Sequence, residues 1–153
     1  MPILNFDQGL RGGNSGGRYF HREGSAVGYK IYPNNPDEKI RQEYNALCWL
    51  QEHLPGVFPK PYGLKKIHYH GKRHLAIKME HIEGECKKQD GPCPFNECDP
   101  AYLAVLEKLD SKGLRTYEHD GGWNTILTPW GEFRLIDADP GYLEIPLKEK
   151  TNQ

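Results

Sequence analysis

Five glycines fall close together near the start of the chain, at positions 9, 12, 13, 16 and 17, and the residues directly after them restrict the fold more than any other feature. These are Arg18-Tyr19-Phe20-His21-Arg22 and Ala26-Val27-Gly28-Tyr29-Lys30-Ile31-Tyr32, two runs whose aromatic and β-branched side chains suit strands. A dinucleotide fingerprint or a P-loop would run into a helix, and a P-loop also needs Gly-Lys-Ser/Thr, a tripeptide absent here. Glycines between antiparallel strands make instead a flap whose backbone amides can approach phosphates, or simply a loose hairpin turn. Residues 6–32 read as three strands.

A helix signal comes next. Asn35 can cap, Pro36 suits the first helical position, Glu38 reaches back as in a capping box, and Ile40, Leu47, Leu50 and Leu54 recur at helical spacing until Pro55-Gly56. After the rigid connector 59–63, residues 64–70 and 73–80 read as a hairpin turning at Gly71-Lys72, which brings the sheet to five antiparallel strands. Residues 83–97, polar and rich in Gly, Pro and Cys, form a connecting loop between two lobes. Asp99-Pro100 opens a second helix with Tyr102, Leu103, Leu106 and Leu109 inward, closing at Lys112-Gly113. Residues 125–128 and 133–136 are short strands joined by Pro129-Trp130-Gly131-Glu132.

With 153 residues, 37% of them hydrophobic, one domain with a packed core is expected. A net charge of −1 provides no field that would draw nucleic acid or an anionic membrane, and Lys65-Lys66 and Lys72-Arg73 read as a solvated rim. No apolar run approaches the roughly 18 residues of a membrane span, and the first residues lack the pattern of a secretory signal, so the expected compartment is the cytoplasm. Cys86, Cys93 and Cys98 match no tight zinc knuckle and read as free thiols in a polar loop, the alternative being a zinc site completed by His81 or a carboxylate.

Three constellations carry possible chemistry. Glu43 lies on the apolar stripe of its helix, where a carboxylate needs a partner, and Lys30 on an inward strand face is the nearest plausible cation. Ala26 and Gly28 share the face of Lys30 and leave room for a flat ring beside an ammonium, as a nucleotide requires. The plainer alternatives are a structural salt bridge or a helix rotated so that Glu43 meets water. Asn124 before one short strand and Asp137 after the next offer two hard oxygen ligands of the kind magnesium takes, unless both are turn residues. In Glu118-His119-Asp120-Gly121-Gly122, His119 or Asp120 could serve as a general base, or the segment is a polar turn.

Taken in chain order, glycine flap, strand lysine, helix glutamate, hairpin, linker, helix, acidic turn, hairpin and aspartate, residues 9–141 resemble the protein kinase superfamily. The likeness extends to its aminoglycoside-phosphotransferase-like branch and to minimal bacterial and phage members. The resemblance implies an α+β, minimal kinase-like fold. A five-stranded antiparallel N-lobe with one αC-like helix would span about 1–82, a strongly truncated C-lobe about 83–147, and a tail 148–153. It implies ATP and magnesium as cofactors. Gly12, Gly13 and Gly16 would clamp phosphates, although Arg11 stands where the first glycine of the motif would fall. Lys30 would bind the α and β phosphates with Glu43 as its partner. Met79-Glu80-His81-Ile82 resembles the hinge, with Met79 as gatekeeper and the backbone of Glu80 and Ile82 holding adenine. Asn124 and Asp137 would hold magnesium. Asp120 would be the catalytic base, although His119 occupies the usual spacing from Asn124.

Sixteen residues after Asp137 leave no room for an activation segment or the later C-lobe helices, hence the expectation of a minimal kinase. The acceptor would be a hydroxyl on protein Ser/Thr or on a small molecule, in the cytoplasm or, for an exported effector, in a host cell. A pseudokinase that docks on a partner and a nucleotidyl transferase are the alternatives.

Overall fold

The computed structural model describes residues 4–6, 10–12, 16–86, 96, 98–116, 125–136 and 143–144. The described chain is α+β. Its first strands are β1 (Leu4–Phe6), β2 (Leu10–Gly12), β3 (Gly17–His21), β4 (Val27–Ile31), β5 (Pro61–Tyr69) and β6 (Lys72–Glu80), with helix α1 (Asp37–His53) between β4 and β5. They form one sheet in the order β1-β5-β6-β4-β3-β2, antiparallel throughout except where β1 pairs parallel with β5. The sheet therefore has six strands rather than five, and four rather than three come from the N-terminal segment. The added strand is held by apolar contacts that three residues cannot announce in a sequence. Phe6 stacks on Phe20 with ring centroids 4.6 Å apart, beside Ile31, Ile67 and Ala76 on the sheet face away from α1.

On the other face α1 buries Ile40, Glu43, Ala46, Leu47 and Leu50 against Leu75, Ile77 and Met79 of β6. Strand alternation explains the division, since Ala76 faces the opposite core from Leu75 and Ile77. The start of α1 differs from the sequence expectation. Pro36 is itself the N-cap, with an extended ψ of 158°, and no side chain caps the helix. Asp37 and Glu38 instead place negative charge at the positive end of the helix dipole. The β5–β6 hairpin turns at His70-Gly71, with φ of 50° and 75°, one residue earlier than expected. Positive φ at both central positions is the pattern of a type I′ turn, with Gly71 taking the second of them at no steric cost.

The later elements are β7 (Glu85–Cys86), α2 (Pro100–Ser111), β8 (Arg115–Thr116), β9 (Thr125–Leu127), β10 (Phe133–Leu135) and β11 (Leu143–Glu144). They form a three-stranded sheet, β10-β9-β7, and a β11-β8 pair. Part of the expected 83–97 loop is thus strand, recruited by pairing of Glu85 and Cys86 with Leu127 and Ile126. Asp99 caps α2 by accepting from the Ala101 N–H at 2.9 Å, with Pro100 in the first turn. Tyr102 and Leu109 are buried, but Leu103 is 47% exposed, because one residue turns the helix by about 100° away from their stripe. The β9–β10 turn uses Pro129 to preset φ, Gly131 at φ 87°, and the Thr128 hydroxyl as acceptor for the Glu132 N–H.

Gly84 lies where the chain leaves the six-stranded sheet. Its φ is 152°, and a Cβ there would overlap the Leu127 carbonyl oxygen and the Ile126 side chain. Gly84→Ala is expected to cost about 1–3 kcal/mol, the range for enforced backbone strain. In thermal unfolding that is a fall in Tm of roughly 2–12 °C for a chain of this size; an unchanged Tm would mean that β9 moves aside freely. Among the described residues, no helix is long and apolar enough to cross a membrane.

Candidate functional site

The sheet face beneath α1 gathers the polar groups. Lys30 on β4 and Glu43 on α1 are 8% and 2% exposed, and the Lys30 ammonium donates to Glu43 Oε2 at 2.9 Å. Tyr32, two residues along the same face, donates its hydroxyl to Glu43 Oε1, and its ring lies 5.1 Å from the ammonium. The carboxylate on the apolar stripe of the helix is thus compensated by a charge and by a neutral donor, as a buried anion requires. Gly17 closes the opposite side. A Cβ at that position would come within 3.1 Å of Lys30 Cε and 3.3 Å of the Tyr32 ring, so a larger residue would push on the lysine stem and the ring.

The room beside the ammonium is occupied differently from the sequence expectation. Tyr19 pairs directly with Lys30 across β3 and β4, and its ring lies over Gly28, so that a Cβ on Gly28 would overlap it. The flat ring that fits the glycine notch is the protein's own. Its hydroxyl is 2.7 Å from His81 Nδ1. Burial first, and then the carboxylates of Glu83 and Glu80, push the Tyr19 phenol well above its ordinary pKa, so it keeps its proton.

Just past β6, His81 stacks face to face on His21 of β3, with ring centroids 3.3 Å apart and planes within 7°. Burial and the neighbouring His21 lower the His81 pKa against the opposing pull of Glu83, whose carboxylate lies 3.3 Å from Nε2. Glu80, the last residue of β6, receives a two-pronged contact from Arg134 of β10, at 2.8 and 3.1 Å. The same guanidinium donates to the carbonyls of Val57 and Phe58, at 3.3 and 3.0 Å. Arg134 thereby ties the β9–β10 hairpin to the end of the six-stranded sheet. In the sequence it reads only as the polar member of a three-residue strand, and all three residues of that strand are buried.

Burial raises the Glu80 carboxyl, but hydrogen bonds from Arg134 and the Lys60 N–H, with the charges of both residues, outweigh it and hold the carboxyl below its ordinary value. A depressed native pKa contributes stability that is fully present above the unfolded carboxylate pKa and lost as pH falls through the native one. On acidification from about pH 5 to pH 3, Tm should therefore fall further for the wild type than for Glu80→Gln. Superimposable acid profiles would mean that the ionised pair adds nothing in this range.

Of the residues singled out in the sequence, Lys30 and Glu43 meet as an ion pair. Met79 is buried in the core under α1, and Ile82 is buried just beyond β6. The Glu80 N–H donates to the Lys60 carbonyl at 2.9 Å. Gly12 pairs with Gly17 across β2 and β3, and Gly16 sits between these strands at φ 81°. Gly13, His119, Asp120, Asn124, Asp137, Cys93 and the tail 148–153 lie outside the described residues, as does the side chain of Cys86, whereas Cys98 is exposed with a free thiol. The strand pair next to Asn124 and Asp137 matches Thr125 with Leu135. Tyr19, His21, Tyr32 and Arg134 are the polar groups that sequence reasoning did not place at the site. Two surface depressions lie away from it, one near Leu4, Phe6 and Tyr29 on the opposite sheet face and one between α2 and the β9–β10 turn.

No protein-family model matches the chain, and no curated protein matches it.

Proposed function

We propose that the chain is an ATP- and magnesium-dependent phosphotransferase of minimal kinase-like architecture. It would move the γ-phosphoryl group to a hydroxyl, with protein Ser/Thr as the acceptor and the cytoplasm as its compartment. The observation that carries this reading is the buried Lys30 and Glu43 pair joining strand to helix. Apolar residues of similar volume commonly stabilise such a position as well as an ion pair does, so packing alone gives no reason for it. An ammonium held by Glu43, with the Gly17 backbone against its stem, is a preorganised partner for phosphate oxygens. The succession β2–β3 with its glycines, Lys30, Glu43, the β5–β6 hairpin, the Glu80 to Ile82 connector, α2 and the β9–β10 hairpin adds support.

In this reading residues 1–82 and 83–147 are the two lobes. Gly12, Gly13 and Gly16 face the phosphates, and the backbone of Glu80 and Ile82, beyond the gatekeeper Met79, holds the base. Asp120 orients the acceptor hydroxyl, and Asn124 and Asp137 hold the magnesium, which neutralises phosphate charge when bound. Nucleotide fits beside Lys30 only when the Tyr19 ring leaves Gly28. That requirement favours a second reading, a pseudokinase in which the Tyr19 ring closes the base site and the chain acts by docking on a partner.

The test is incubation of the full chain with γ-labelled ATP, magnesium and a pool of Ser/Thr peptides. Label transfer that disappears in Asp137→Ala supports the kinase, and transfer from α-labelled ATP would replace it with nucleotidylation. A Tm raised by ATP without any transfer supports the pseudokinase, and no response to nucleotide defeats both. Tyr19→Ala should tighten ATP binding about 5- to 30-fold, the equivalent of the roughly 1–2 kcal/mol needed to break the His81 hydrogen bond and displace the ring. Weaker binding in that variant would mean that the tyrosine supports the nucleotide rather than excluding it.

A further inference from the structure

His21, His81 and Glu83 each place one potential ligand atom within 4.8 Å of the others. These residues come from β3 and from the connector after β6, and none is used by the phosphotransfer reading. We propose that they bind a divalent transition metal of the zinc class, through two imidazoles and one carboxylate, with a fourth position open to solvent.

The donor set selects the metal. Two imidazole nitrogens favour zinc, cobalt, nickel or copper over magnesium and calcium, which take oxygen. The spacing is close to what coordination needs. Tetrahedral zinc with bonds of about 2.0–2.1 Å sets neighbouring ligand atoms roughly 3.3 Å apart. His81 Nε2 and Glu83 Oε1 already stand 3.3 Å apart. The His21 and His81 rings are parallel, so their lone pairs do not yet converge. Coordination therefore requires the rings to fan apart about χ2, a soft torsion for histidine. Glu83 has a side chain 67% exposed and can turn toward the ion without disturbing the core.

The outer contacts are those of metal-ligating histidines. Each ring has its other nitrogen on an oxygen that fixes orientation and tautomer. His21 Nε2 is 2.6 Å from the Ser25 carbonyl, which can only accept, so Nε2 carries the proton and Nδ1 the lone pair. His81 Nδ1 is 2.7 Å from the Tyr19 hydroxyl, and with Nε2 on the metal Nδ1–H donates to that oxygen. The main chain after Glu83 is confined as well, since Gly84 lies against the Leu127 carbonyl. An ion here would clip β3 to the connector after β6.

The test uses the full chain, stripped of metal and kept reduced, titrated with zinc chloride. One equivalent should bind and raise Tm by about 3 °C or more at saturation. Glu83→Gln, a change at an exposed side chain, should weaken binding about tenfold or more. His21→Phe keeps a stacked ring and removes the nitrogens; it should abolish binding while leaving the metal-free Tm near that of the wild type. If His21→Phe lowers the metal-free Tm, the cobalt spectrum of Glu83→Gln decides. Cobalt bound to the wild type should show visible bands without a thiolate charge-transfer band, and Glu83→Gln should change those bands. The proposal falls if no zinc binds at 1:1, if binding survives in His21→Phe, if Glu83→Gln leaves the cobalt spectrum unchanged, or if a thiolate band appears and binding disappears in Cys86→Ser.

Discussion

Replacing Arg134 with alanine should lower the stability of the protein by about 2–4 kcal/mol, a large share of what a domain of this size has. Arg134 is 7% exposed, and the departure of its guanidinium takes the paired cation from Glu80 and one donor from the Phe58 carbonyl. The Val57 carbonyl loses less, because it also accepts from the Leu135 N–H at 2.9 Å. Breaking a fully buried pair costs about 3–5 kcal/mol. The lower range applies because the Glu80 side chain is 31% exposed and water can partly replace the arginine. Calorimetry should show a Tm lower by roughly 4–16 °C. Arg134→Lys keeps the charge but not the fork that reaches Glu80 and two carbonyls at once, so it should recover less than half of the loss. If alanine changes Tm by less than about 2 °C, the hairpin is held by its apolar contacts and not by this residue.

The second large effect concerns the buried pair under α1. Lys30→Met removes the cation that donates to the Glu43 carboxylate and should cost about 3–5 kcal/mol. Adding Glu43→Leu removes the carboxylate as well, and Tyr32→Phe removes the hydroxyl that donates to it. The triple variant should regain at least half of the lost stability, because apolar packing replaces a buried ion pair at little cost. The two roles of the pair then come apart. Under the proposed function the triple variant folds, yet neither binds ATP nor transfers label. A triple variant that keeps its nucleotide response would show that the lysine is structural. One that stays as unstable as Lys30→Met would show that the loss comes from packing and not from charge.

The site was legible in the sequence where local periodicity governs it. Glu43 follows Ile40 by three residues and precedes Leu47 by four, so helical geometry alone puts a carboxylate in the core and demands a cation. Strand alternation puts Lys30 and Gly28 on one face in the same way. The capping of α2 by Asp99 and the Pro129 to Gly131 turn were equally readable, because they are satisfied within a few residues. The start of α1 was not, since Asn35 and Glu38 fit the pattern of cap residues at a place where Pro36 and two acidic side chains stand at the helix start instead.

What escaped the sequence shares a physical cause. Arg134 finds its partners 54 and more residues away, and an arginine in a short strand ordinarily faces water. The Tyr19 ring fills the Gly28 notch because β3 and β4 pair with Tyr19 opposite Lys30 and His21 opposite Gly28, and a register is a property of two strands together. The same register, with β6 alongside, sets His21 against His81. The α+β composition of elements, the inward carboxylate and its lysine were determined by the sequence alone, since repeats of two and 3.6 residues assign side chains to faces before any long-range contact forms. The sixth strand, the tyrosine in the notch, the paired histidines and the arginine tie were decided only by the tertiary structure. Each depends on which distant backbones lie side by side, and burial then obliges their polar groups to find one another.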